Sequence, residues 1–200
     1  VVATHPRSGT HLTMDLIRKQ FSSFKGWVWP GETLHHLYCN IDRLQPASSD
    51  PLTPEQALRI MARPKRPTLK THSLPTFENF PPEQRRFAKR LAKRSCILYV
   101  VRDGRKVLSS AYLWEIGRGH KGKTFSQFLR SGTSETENPL QRWVRHVYAW
   151  TALENVYVLR FEDIVEEPQK TIAQLEDILN ETAICQPPYL PKRMPSDSQW

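Results

Sequence analysis

The opening stretch, Val1-Val2-Ala3-Thr4-His5-Pro6-Arg7-Ser8-Gly9-Thr10-His11-Leu12, most restricts what this chain can fold into. Apolar, β-branched residues lead into a short polar turn, and an amphipathic helical pattern starts directly after it. A strand, a glycine-containing turn and a helix N-terminus together make an anion cradle. The first N–H groups of a helix have no internal acceptor, and the helix dipole favours negative charge there. Gly9 lets the backbone approach closely, Ser8 and Thr10 offer hydroxyls, and Arg7 brings a fixed charge. A plain N-cap turn would also use Ser or Thr, but not Arg, Gly and both hydroxyls together.

The rest of the chain alternates strands with helices. Residues 1–5 read as the first strand and 9–24 as a helix with Leu12, Leu16, Ile17 and Phe21 inward. Residues 25–54 lack periodicity but hold Trp27, Trp29, His35, His36 and Tyr38. This segment (about 24–54) reads as a lid or acceptor-pocket wall, with plain aromatic packing the other reading, and 24–50 together with the loop over 117–134 would shape the acceptor pocket. A short helix follows from Thr53 to about Arg63, then a strand over 67–72. Pro81-Pro82 open a basic helix that reads as a solvated face. Ser95–Val101 is a continuous apolar run, as a central parallel strand should be. Helices are expected over 105–116, 125–129, 139–153 and 168–179, a strand over 155–160, and a turn that 161–163 lead into. The implied fold class is α/β, a parallel sheet flanked by helices on both faces, in a single domain over 1–200 with a tail at 181–200. In such sheets ligands bind beyond the carboxyl ends of the strands. Three strand ends carry the unusual residues: Arg7 to Thr10, Lys70-Thr71-His72, and Arg102-Asp103.

Composition fits this picture. The net charge of +9 suits an anionic partner. Cys39, Cys96 and Cys185 show neither metal-ligand spacing nor a paired framework, so a reducing, cytoplasmic location is the simplest reading. Cys96 reads as a buried thiol. No apolar run reaches the roughly 20 residues of a membrane span, and no signal peptide is visible. The chain begins without Met and ends at Trp200, as a trimmed piece of a longer sequence would.

The loop is not a Walker A motif, because no Gly-Lys-Ser/Thr follows at the needed spacing. Asp103, flanked by Arg102 and Arg105, reads as an ion-paired helix cap rather than a magnesium ligand. His72 stands at a strand end beside Lys70, which favours chemistry over a structural role. His146 shares a helix face with Trp143 and Trp150 and reads as core. His35 and His36 point in different directions, which disfavours metal binding. Glu162 and Asp163 read as caps of the turn that follows them.

Pro6-Arg7-Ser8-Gly9-Thr10 resembles the phosphosulfate loop of sulfotransferases. Leu69-Lys70-Thr71-His72 resembles the strand that carries their catalytic histidine. Val100 to Ser110 resembles their 3′-phosphate element, and 142–147 and 158–163 match further family segments in order. The likeness runs from Val1 to about Leu179 and is nearest to the cytosolic type, since a Lys-Thr-His strand stands where Golgi carbohydrate enzymes place a glutamate.

The resemblance implies a P-loop-like sulfotransferase architecture. It implies 3′-phosphoadenylyl sulfate (PAPS) as donor, 3′-phosphoadenosine 5′-phosphate (PAP) as product and no metal. It implies a donor site of Arg7, Ser8, Gly9, Thr10, His11, Arg102 and Ser110, and a catalytic set of His72 as base with Lys70 and Arg7 on the leaving oxygen. The acceptor would be a hydroxyl or amine on a small or lipid-like molecule, and no nucleic acid is expected; oligomeric state is not readable. There are departures. Arg7 replaces the usual Lys, Leu12 stands where Trp often follows the loop, and Val144 stands where Tyr is frequent. Adenine would then be met by Trp143 or a lid aromatic. The family's C-terminal Arg-Lys-Gly element is absent, with Lys192 and Arg193 as candidate replacements. Two alternatives stay open: a P-loop-type kinase, which would need magnesium and ATP, and a non-catalytic basic nucleotide- or nucleic-acid-binding protein, which would bind with strong salt dependence.

Overall fold

The structure, a computed structural model, describes residues 1–32, 34–118, 122–133 and 136–184. Five parallel strands form one sheet: β1 (Val2–Thr4), β2 (Cys39–Asn40), β3 (Leu69–Thr71), β4 (Ile97–Val101) and β5 (Val156–Arg160). Their order is β2-β3-β1-β4-β5. From β1 the chain runs to the edge strand β2, returns to β3 beside β1, then crosses to β4 and β5 on the other side. The reversal therefore falls at β1, flanked by β3 and β4. That is where an open α/β sheet leaves a crevice at its carboxyl edge.

Alternation along the strands sends side chains to two cores. Ala3, Ile97 and Tyr99 pack with helices α2 (Pro54–Met61), α3 (Pro82–Lys93) and α6 (Pro139–Thr151), through Ala57, Ile60, Ala88 and Trp150. Val2, Leu98 and Val100 pack with α1 (Thr10–Gln20), α7 (Phe161–Glu166) and α8 (Pro168–Leu179), through Met14, Leu16, Ile17, Ile164, Ile172 and Leu175. Helices α4 (Gly104–Gly117) and α5 (Phe125–Leu129) complete the described set. None of the described helices is long and apolar enough to cross a membrane.

Several expectations need correction. Helix α1 stops at Gln20, and a 3-10 turn carries Ser22–Phe24. Leu12 is only partly buried, while Met14 takes a full place in the core. Residues 161–163 lead not into a turn but into helix α7, which they open. Cys96 is half-buried, and Cys185 lies outside the described residues, as do Lys192 and Arg193. The largest correction concerns 24–54. This segment contributes the edge strand β2, and Ile41, Leu44 and Leu52 bury completely or nearly so. Part of the segment is therefore scaffold, while Trp27, Trp29 and Leu34 stay exposed and Tyr38 meets His11 at 3.4 Å.

Candidate active site

The loop between β1 and α1 holds an unusual backbone. Arg7 and Gly9 both have positive φ, 71° and 98°. Gly9 is the N-cap of α1, and no side chain caps that end. The first-turn N–H groups therefore face outward without a side-chain acceptor, as anion binding requires. Glycine is needed at position 9 for a second reason: a Cβ there would lie 2.3 Å from the Phe161 ring.

Residues from the neighbouring strand ends fix this loop. Arg102, just after β4, donates from Nη1 to the Arg7 carbonyl at 3.0 Å, and its guanidinium lies 4.4 Å from the centre of the Phe161 ring. Arg7 donates from Nε to Ser110 Oγ on α4 at 3.1 Å and stacks over Trp114 at 4.9 Å. Ser110 and Trp114 are one helical turn apart, so α4 presents both to Arg7. Asp103 caps α4 through the Arg105 N–H at 2.9 Å and pairs with the Arg105 guanidinium at 2.6 Å, as expected. Glu162 accepts from the Asp103 N–H at 3.2 Å rather than capping its own helix.

His72 leaves β3 held from three directions. Its Nδ1 lies 2.9 Å from the Thr4 carbonyl, which can only accept, so Nδ1 carries the proton and Nε2 the lone pair. Its backbone N–H donates to Asp42 at 2.7 Å, and its carbonyl lies 3.1 Å from Nε2 of His146. Asp42 also receives the hydroxyls of Thr71 at 2.7 Å and Ser73 at 2.8 Å. Burial lowers the His72 imidazole below its ordinary value, partly offset by the Asp42 charge and reinforced by Lys70. A neutral imidazole with an unprotonated Nε2 is the form a general base needs near pH 7.

Two cavities meet at these residues. One, of about 420 Å³, is walled by Arg7, Gly9, Thr10, His11, Arg102 and Ser110, among others. The other, of about 400 Å³, is largely apolar and is walled by Phe77, Phe80, Leu108 and Phe128, among others. Pro6, Arg7, His72 and Trp114 line both. The polar cavity fits an anionic donor on this structure's own terms. Ser8 Oγ and Arg102 Nε are buried without a hydrogen-bond partner among the described residues, and both belong to the elements that frame it.

A family model for the sulfotransferase domain matches residues 1–186. The chain belongs to the sulfotransferase family. A search of curated proteins finds no match. Among solved structures, mouse sulfotransferase SULT7A1 complexed with PAP aligns at a TM-score of 0.58 and 19% identity, covering 90% of this chain and 57% of its own. A sulfotransferase from Alicyclobacillus acidocaldarius aligns at 0.61 and 14% identity, covering 98% of this chain and 86% of its own. These likenesses show the fold. The present chain spans a little over half the length of the mouse protein.

Within this sulfotransferase fold the sequence-derived residues fall into two groups. Arg7, Gly9, Thr10, His11, His72, Arg102 and Ser110 converge on the polar cavity. Ser8 is buried beside it rather than on its wall, and Lys70 lines neither cavity. The Lys70 ammonium instead lies 5.6 Å from the centre of the Tyr38 ring. Trp143, expected at adenine, packs its ring where a Cβ on Gly104 would stand, 2.8 Å away, and lines neither cavity. The apolar cavity is walled by 72–80, 108–115, Phe128 and α6, not by 24–50. His146 is buried as expected but also reaches that wall. Sequence reasoning missed Asp42 and Trp114. Only the i, i+4 spacing of Trp114 from Ser110 pointed to the latter.

Proposed function

We propose that this chain transfers the sulfuryl group of PAPS to a hydroxyl or amine of a small or lipid-like acceptor. The observation that carries the reading is the position of His72 and Arg7 on the shared wall of a cationic and an apolar cavity. A reaction between an anionic donor and an apolar acceptor needs its base and its charge stabiliser at that junction.

The α1 N-terminus, Thr10 and Arg7 would hold the 5′ phosphosulfate end, and Arg102 with Ser110 the 3′-phosphate. The donor supplies an electrophilic sulfur with a nucleotide phosphate as leaving group. His72 Nε2 takes the acceptor proton as the acceptor oxygen or nitrogen bonds to sulfur. The sulfur–oxygen bond to the phosphate breaks, and its electron pair stays on that oxygen. Arg7 faces the developing charge as a fixed cation, which stabilises it without donating a proton. Lys70 contributes charge from behind Tyr38. Residues 1–200 act as one unit, and the thiols of Cys39 and Cys96 fit a reducing, cytoplasmic setting.

Titration with PAP and a transfer assay from labelled PAPS to a panel of phenols test the reading. Wild type binds PAP and transfers. His72→Ala keeps PAP binding but loses transfer by about 10²- to 10⁴-fold, the usual worth of a general base. Absence of PAP binding to wild type would overturn the proposal. Wild-type transfer by His72→Ala would remove the base assignment alone.

A further inference from the structure

The apolar cavity carries one charge that the proposed reaction leaves unused. Helix α6 presents Pro139, Arg142, Arg145 and His146 to it. These positions, three or four apart, share a helix face. The two arginines differ in their partners. Arg145 lies 3.0 Å from Glu137 and 3.4 Å from Glu78, so its charge is matched. Arg142 donates to the Glu137 carbonyl at 3.3 Å, a neutral acceptor, and no carboxylate pairs with it among the described residues.

The surroundings sharpen that difference. His5 and His146, on the same wall, are driven down to about 4 and about 3 by burial, and both are neutral at pH 7. The Arg142 charge reaches inward far enough to add to the effect on His5. Arg7 stands on the wall shared with the polar cavity, its Nε bound to Ser110. Glu115, the remaining carboxylate of this wall, neighbours Trp114, whose ring carries both the Arg7 and the Arg118 guanidinium groups. Among the described residues Arg142 is thus a cation of this wall with no carboxylate partner, and it borders an apolar space of about 400 Å³ walled by Leu74, Phe77, Leu108 and Phe128. A volume of that order suits a ring-sized molecule.

Resting on the assignment of this cavity to the acceptor, we propose that the acceptor is a hydroxylated aromatic or alicyclic acid. Its anionic group is held by Arg142 while its hydroxyl reaches His72. A guanidinium fork suits a carboxylate, and a hydroxyl at the far end of an apolar body would meet Nε2.

The test uses a matched pair, 3-(4-hydroxyphenyl)propanoate and its methyl ester, titrated into PAP-loaded protein by calorimetry. Wild type is expected to bind the acid roughly tenfold more tightly than the ester, the scale of one charge-assisted contact. Arg142→Gln abolishes that preference, Arg142→Lys keeps part of it, and the surface control Arg90→Gln keeps all of it. Equal binding of acid and ester by wild type, or an undiminished preference in Arg142→Gln, overturns the proposal. The same pair is then assayed for transfer from PAPS. An Arg142-dependent acid preference in binding without any transfer supports the acid site and overturns the sulfuryl reaction instead. Transfer that favours the ester overturns the acid site and leaves the reaction standing.

Discussion

Phe161 fills the space that a side chain on Gly9 would need, its ring 2.3 Å from where a Cβ would stand. The same ring lies under the Arg102 guanidinium at 4.4 Å, and Arg102 holds the Arg7 carbonyl at 3.0 Å. One aromatic ring thus sets the loop backbone and the second cation together.

Gly9→Ala should therefore fail twice. Alanine dislikes the left-handed φ of 98°, and its methyl collides with Phe161. The combined loss should be about 2–4 kcal/mol. Urea unfolding reads the loss as a lower midpoint, and PAP titration should show weaker binding in the folded fraction. A wild-type midpoint would show that the ring yields freely, contrary to this account.

Arg102 and Ser110 are expected to differ in weight. Arg102→Ala removes a half-buried guanidinium and frees the Arg7 carbonyl, so PAP affinity should fall about 100-fold or more. Ser110→Ala removes one hydroxyl, and with it the partner of Arg7 Nε, for about a three- to tenfold loss. If Ser110→Ala cost as much as Arg102→Ala, the division of labour between the two would be wrong.

Two buried imidazoles and a half-buried one predict acid sensitivity. His5, near 4, and His146, near 3, lie below the ordinary histidine value of 6.5, and His72 is also lowered. Folding thus favours their neutral forms. The unfolded chain binds more protons once pH falls below about 6.5, so stability is full above that value and declines as pH drops toward 4. Each group contributes at most about 1.4 kcal/mol per pH unit in this window. The paired carboxylates Glu32 and Asp103, both near 2, add their losses only at lower pH. Urea midpoints at pH 7, 6 and 5 should therefore fall, and His5→Gln should flatten the trend. An unchanged slope in His5→Gln would count against the assignment.

Legibility in the sequence follows periodicity and length. Strand β4 is a continuous apolar run and α8 a clean amphipathic stripe, so both stand out from the order of residues alone. The loop from Arg7 to Gly9 is readable because phosphate cradles demand few residue types in a fixed order. Strand β2 is only two residues, Cys39 and Asn40, too short for a period-two pattern to register. The segment around it looks irregular because its core residues, Ile41, Leu44 and Leu52, serve 3-10 turns and loops that have no sequence period. Aromatic content there suggested a pocket, yet Trp27 and Trp29 pack edge-to-face on each other at 4.7 Å. The apolar cavity was hidden for a related reason. Its walls come from loop, helix and strand-end residues far apart in the chain, joined only by the fold. Asp42 is the sharpest case, since an acidic residue in an irregular stretch carries no local sign that it will meet β3.

Asp42 yields the last prediction. It accepts the Thr71 hydroxyl, the His72 backbone N–H and the Ser73 hydroxyl, so it fixes the backbone on both sides of the base without touching substrate. It is a positioning residue. Asn at this place keeps one acceptor oxygen and turns an amide donor toward groups that also donate, for a loss of about 2–4 kcal/mol in stability. Its charge has a separate effect, because it raises the His72 imidazole against burial and Lys70. Removing the charge should let His72 fall further, so the acid limb of the kcat profile moves to lower pH while kcat itself drops about tenfold or more from misplacement. KM for the donor should stay near wild type, since none of these bonds reaches the polar cavity's loop. Asp42→Glu, which keeps the charge but lengthens the side chain, should leave the limb in place and lower only kcat. A variant that loses stability with an unmoved limb would reduce Asp42 to a purely structural brace.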